Sequence, residues 1–242
     1  MSVERIILFI DNNFDMILEE FSQEDIEKYL TLQQHFERLN GAVDNNRDFC
    51  EEYIRFYVVK FYQESDLEER CLDIYFNLLS NERLQAIITQ FRNLHRFKKI
   101  FIYILNQIEK IIDRHEFSYA TILIHTINPI FPIYDEYVKS ALRLDEISHL
   151  RNKKDVSWRQ YNQILEIYNK LLVNMDFKNL LSRFEVNRDL LGLSDFKKVD
   201  FIVWCMGKVI QKVRRLNHYR EGRIRLSPGR RAKINEISTK KI

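Results

Sequence analysis

Residues 96–113 read Arg96-Phe-Lys-Lys-Ile-Phe-Ile-Tyr-Ile-Leu-Asn-Gln-Ile-Glu-Lys-Ile-Ile-Asp113, and their spacing decides the fold class. Apolar residues stand at 97, 100, 101, 104, 105, 108, 111 and 112, with polar residues at 98, 99, 106, 107, 109, 110 and 113. This is the 3.6-residue period of an amphipathic helix. Residues 67–79, 84–91, 158–172 and 199–213 repeat it, while 53–62 are apolar almost all round, as in a central buried helix. The aromatic side chains in these stripes read as core.

Punctuation residues agree. The chain has five glycines and three prolines in 242 residues, and neither type occurs between Val43 and Asn128. A β-sandwich or barrel needs turn residues roughly every 8–12 positions. No Gly-rich phosphate loop can be built from this set, which excludes Walker A and Rossmann nucleotide sites. The Asn/Asp/Gly-dense stretch 39–47 reads as the best early loop. The expectation is an all-α, compact body, of one lobe or two, over 1–210. A basic helix extension then runs to about Arg220, and the rest of 211–242 has the composition of a disordered tail.

The formal net charge of +3 conceals an asymmetry. Residues 211–242 carry eleven Lys/Arg against two Glu, or +9, which leaves −6 for 1–210. Cys50, Cys71 and Cys205 have no metal-ligand spacing and read as buried thiols in a reducing compartment. No two of the six histidines pair at helical ligand spacing, so no metal or cofactor is expected. The opening apolar stretch is too short for a signal peptide and no run suits a membrane span, so a soluble, cytoplasmic protein is expected.

Residues 118–142 contain unusual chemistry. Ser118 can cap a short helix. Asn128-Pro129 stops it, and Pro132 sets the backbone before a second helix over about 133–143. Asp135 and Glu136 then fall in that helix's first turn, where unpaired N–H groups favour the ionised carboxylate. Asp135 is a candidate general base or electrostatic partner for a developing cation; the plainer alternative is that it only caps its helix. His125 reads either as a pocket donor near Asp135 or as a core histidine satisfied by a carbonyl. Tyr134 and Trp204 could stack on an everted base or belong to the core.

Two prolines inside a helix–turn–helix, followed by Asp135-x-x-Val138, resemble the helix-hairpin-helix DNA glycosylase superfamily. Tyr119-Ala120, His125, Pro129 and the run from Phe131 to Asp135 are similar to its 8-oxoguanine glycosylase-like branch, and 199–208 are similar to that branch's closing helix. The likeness spans about 25 residues plus about 10 near the end. It implies a glycosylase-like fold and places Asp135 on the catalytic aspartate, with Ser118, His125, Tyr134 and Trp204 as pocket candidates. Two departures matter. His115-Glu116-Phe117 has none of the glycines that hold a DNA phosphate in that family, and no lysine lies between Lys110 and Lys139. The resemblance therefore implies a monofunctional glycosylase, without Schiff-base lyase chemistry, or a scaffold that has lost catalysis.

The tail residues Arg214, Arg215, Arg220, Arg223, Arg225, Arg230 and Arg231 form the candidate nucleic-acid contact, for DNA rather than RNA. A partner-docking peptide is the other reading of that charge. Two competing functions remain: a noncatalytic helical interaction module, such as a defence or toxin-system component, and an all-α endoribonuclease using Arg143 and His149. The decisive observation for the glycosylase reading is whether Asp135 lines a nucleotide-sized cleft with a positively charged rim.

Overall fold

The computed structural model describes residues 1–57, 65–90, 94–112, 115–146 and 152–220, with the side chains of 65–70, 94–96, 111–112 and 217–220 excepted. Among the described residues there are twelve helices and no strand. In chain order they are α1 (Val3–Asn12), α2 (Phe14–Glu20), α3 (Gln23–Arg38), α4 (Arg47–Tyr57), α5 (Ser65–Leu79) and α6 (Glu82–Thr89). Then follow α7 (Leu94–Ile112), α8 (Phe117–Ile127), α9 (Glu136–Leu142), α10 (Lys153–Val173), α11 (Met175–Asn187) and α12 (Asp195–Arg220). Short polar side chains start several of them. Ser22, Asn81, Asp135 and Asn174 each accept the backbone N–H three residues ahead, satisfying a donor that the helix leaves open.

The apolar stripe of α7 is buried as its period requires, with Phe97, Phe101, Ile104, Leu105 and Ile108 at 0–1% exposure. The loop at 39–46 turns through left-handed backbone at Asn40 and Gly41, whose φ values are 49° and 74°. In α4, Tyr53 is fully buried; residues 58–62 of the expected central helix lie outside the described residues. Cys71 and Cys205 are buried and Cys50 is partly so, and none of the three is in a disulfide. No helix among the described residues is long and apolar enough to cross a membrane.

Two features set the position of Asp135. First, α8 is buried on every side from Tyr119 to Thr126, and it anchors the proline-containing segment that follows. Asn128 is extended, with φ −145°, because the proline after it disfavours helical backbone. The Thr121 hydroxyl accepts Tyr134 N–H at 2.9 Å, and His125 Nδ1 donates to Phe131 O at 2.6 Å. Second, α9 lies directly on α12. A Cβ at Gly207 would sit 2.1 Å from the Tyr137 carbonyl oxygen, so this approach needs glycine. Gln211 extends the contact by donating to Ser140 Oγ at 3.1 Å.

The second helix begins later than its sequence suggests. Asp135 is the N-cap of α9, in extended backbone with φ −143° and ψ −177°, and the first helical residue is Glu136. Aspartate is better placed there than inside the first turn, because its side chain can cap only from the flanking position. Ser118 does not cap α8. Glu116 flanks that helix, and Ser118 lies in its first turn with its carbonyl accepting from the Thr121 hydroxyl.

Candidate active site

A cleft of about 870 Å³ opens among α3, α4, α9 and α12, and Asp135 lies in its wall. That volume is in the range of pockets that hold one drug- or nucleotide-sized ligand. The face of α12 that lines it carries Lys197, Asp200, Phe201 and Trp204, spaced three, one and three residues apart, so one helical stripe presents all four. Phe56 and Tyr57 of α4 supply further aromatic lining.

Asp135 accepts Val138 N–H at 2.7 Å, and Tyr137 N–H and the Trp204 indole lie near its carboxyl. Each of these contacts favours the ionised form, as the helix N-terminus does. Burial opposes them and wins. It pushes the Asp135 carboxyl up from 3.8 to about 6, and the neighbouring Asp200 charge adds to the rise. The firmly ionised carboxylate expected from the sequence is thus replaced by one that changes state just below neutrality. A group of that kind suits proton abstraction near pH 7.

Asp200 is the second carboxylate of the cleft, and its lone pairs are committed. Oδ1 accepts from Tyr168 OH at 3.2 Å and from Ile133 N–H at 3.3 Å, while Oδ2 accepts from Lys197 Nζ at 2.8 Å. Both side chains of the pair are 4–6% exposed. The Lys197 ammonium also rests 4.4 Å from the Tyr29 ring centre and 4.6 Å from that of Phe201. Asp200 therefore ties the segment before Asp135 to α10 and α12 and raises the Asp135 carboxyl; of these two, Asp135 is the one without an ion pair to a described residue. Neither Lys197 nor Asp200 was a sequence candidate. The available signal was a lysine and an aspartate three residues apart on the face of the helix that carries Phe201 and Trp204.

The other candidates separate. Trp204 lines the cleft beside Asp135, with the Lys208 ammonium 3.8 Å from its ring centre and the Tyr137 ring edge-on at 5.7 Å. One Trp204 face is thus already covered. His125 does not line the cleft. It is fully buried, between the Phe131 carbonyl and the Tyr29 hydroxyl, which is 3.0 Å from Nε2. A carbonyl can only accept, so Nδ1 carries the proton and Nε2 accepts from Tyr29. Burial, with the Lys197 charge, holds its pKa down to about 3, so the ring is a neutral latch between α3 and α8 and the proline segment. Tyr134 is buried as well, stacked on Phe117 with ring centres 4.0 Å apart. Ser118 is not part of the lining.

Among the described residues the rim has the opposite sign to the expected one: seven carboxylates line the cleft, against the three cations Lys28, Arg55 and Lys197. Lys28 is already paired with Glu24 and Lys197 with Asp200. Of the basic candidates, Arg214 and Arg215 are exposed near the end of α12. The Arg220 side chain lies outside the described residues, as do Arg223, Arg225, Arg230, Arg231 and the whole of 221–242. Arg143 is exposed at the C-cap of α9, and His149 also lies outside the described residues. Compared with known proteins, the chain matches no family model, no curated protein and no solved structure at a significant level.

Proposed function

We propose that the protein is a DNA-binding, monofunctional N-glycosylase that takes one everted base into the cleft and uses Asp135 as its reacting carboxylate. The observation carrying this reading is Asp135 itself: an N-cap carboxylate in the wall of a nucleotide-sized cleft, with burial holding its pKa at about 6. The resemblance of residues 119–135 to the helix-hairpin-helix glycosylases points the same way. In hydrolysis, the ionised carboxylate would accept a proton from water as its oxygen attacks the sugar C1′. That attack is concerted with, or follows, breaking of the N-glycosidic bond, whose electron pair leaves with the base. The same negative charge stabilises the oxocarbenium-like sugar on the way.

The acidic rim narrows the substrate. A base already carrying a positive charge, such as an N-alkylated purine, needs no general acid to depart and is attracted by the carboxylates and aromatic rings. The rim repels phosphate, so the grip on the backbone is assigned to the basic segment 211–242 rather than to the cleft mouth. Affinity for DNA should then fall steeply with salt and be mostly lost when 211–242 are removed.

The test is base release from duplex oligonucleotides carrying oxidised, alkylated or deaminated bases, by the wild type and by Asp135→Asn. Release of an alkylated base that disappears in Asp135→Asn supports the reading. An intact panel refutes the enzyme and leaves the second reading, a noncatalytic helical interaction module, which the phosphate-repelling rim favours.

A further inference from the structure

A second concavity, of about 520 Å³, shares no lining residue with the Asp135 cleft. It lies where α1, the C-cap of α9 and the end of α12 meet. Its floor is apolar, with Phe9 and Ile210 partly buried and Leu8 and Val213 exposed by 61% and 36%. Among the described residues, three arginines, Arg5, Arg143 and Arg214, stand in its lining, and no carboxylate does. None of the three guanidiniums has a hydrogen bond or ion pair to a described residue.

Arg143 adds a second, independent observation. It holds left-handed backbone, φ 55° and ψ 48°, at the position that ends α9. Glycine is the usual residue there because a Cβ costs about 1 kcal/mol or more in that conformation. A strained residue kept at the edge of a groove points to a use for its side chain.

We propose that this groove docks an acidic amphipathic helix of a protein partner. Its apolar side chains, three and four residues apart, would cover Leu8, Phe9 and Val213, and Asp or Glu on its flanks would pair with Arg5, Arg143 and Arg214. The stretch of α12 from Met206 to Arg214 gives the groove a length of about 12 Å, which is about two turns of a partner helix. A nucleic acid fits less well. Its phosphates would meet the arginines, but the floor offers one aromatic ring, Phe9, for stacking and would stay uncovered by a sugar–phosphate backbone. The inference does not involve Asp135, so it can fail or hold independently of the glycosylase reading.

The experiment uses the full chain and a fluorescein-labelled, 15-residue Leu/Glu peptide with leucines at helical spacing. A scrambled peptide of the same composition controls for simple attraction to the basic segment. The helical peptide should bind at least tenfold more tightly than the scrambled one. Arg143→Gly should weaken it fivefold or more while leaving the thermal midpoint unchanged or higher, because glycine relaxes the left-handed backbone. Leu8→Lys distinguishes docking from charge attraction: it adds a cation but removes floor, so docking predicts weaker binding. Equal binding of the two peptides, unchanged affinity in Arg143→Gly, or tighter binding in Leu8→Lys overturns the proposal. So does the result that only a single-stranded oligonucleotide or phosphatidylserine-containing vesicles lose binding in Arg143→Gly.

Discussion

The two concavities share one helix and have opposite characters. On its cleft side α12 presents Lys197, Asp200, Phe201 and Trp204 to a carboxylate-rich pocket. Farther along it presents Ile210, Val213 and Arg214 to a groove with no carboxylate among its described residues. At the base of the cleft the Lys197–Asp200 pair is buried, and Asp200 raises the Asp135 carboxyl. In the groove, charge is exposed and unpaired beside apolar surface, which suits association. A chain whose net charge is only +3 thus separates a carboxylate-rich cleft from an arginine-lined groove.

The comparison can be broken most severely at Asp200. Asp200→Ala leaves Lys197 buried and unpaired, and losing one partner of such a pair costs about 3–5 kcal/mol. Chemical denaturation should read a loss of that order, and the double change Lys197→Met with Asp200→Asn should lose less. Gly207→Ala comes next. Its Cβ meets the Tyr137 backbone, which no rotamer change relieves, so α9 must shift from α12. Overpacking of this kind costs about 1–3 kcal/mol, readable as a lowered thermal midpoint with both concavities disturbed.

Asp135→Asn should act in the other direction. The folded-state pKa of about 6 lies above the ordinary 3.8, so the protonated form is the one the fold favours. Its stabilising contribution is complete below about pH 4 and is lost as pH rises through about 6, so the ionised group weakens the fold at neutral pH. Asparagine caps as well as aspartate. The variant should therefore be more stable than wild type by about 1–3 kcal/mol at pH 7.5, with the gain gone below pH 4. A gain that persists in acid would contradict this. The smallest effect is expected for Arg143→Gly, a gain of about 0.5–1 kcal/mol from relaxed backbone, detectable as a slightly higher thermal midpoint.

Much of this was legible in the sequence, and the rest had physical reasons to be hidden. The helical stripes, the loop at 39–46 and the break at Asn128-Pro129 follow from local periodicity and local backbone restriction. So does the position of Asp135 at a helix start, to within the first turn. The state of its carboxyl was not legible, because Asp200 is 65 residues away and only the packing of α9 on α12 brings it near. His125 shows the converse. Its apolar neighbours already announced a core position, and its two hydrogen bonds explain a buried histidine without any ligand. The acidic rim was hidden because α3 and α4 contribute carboxylates that look like ordinary solvated faces along their own helices. The groove was hidden for a related reason, since Arg5, Arg143 and Arg214 meet only in the fold.

The chemistry assigned to the cleft rests on Asp135 changing charge near neutral pH, and its carboxyl titration by carbon-13 NMR in the full-length protein tests that directly. A midpoint of about 6, from a resonance missing in Asp135→Asn, is the predicted result. A midpoint near 4, that of an ordinary solvated aspartate, would contradict the account.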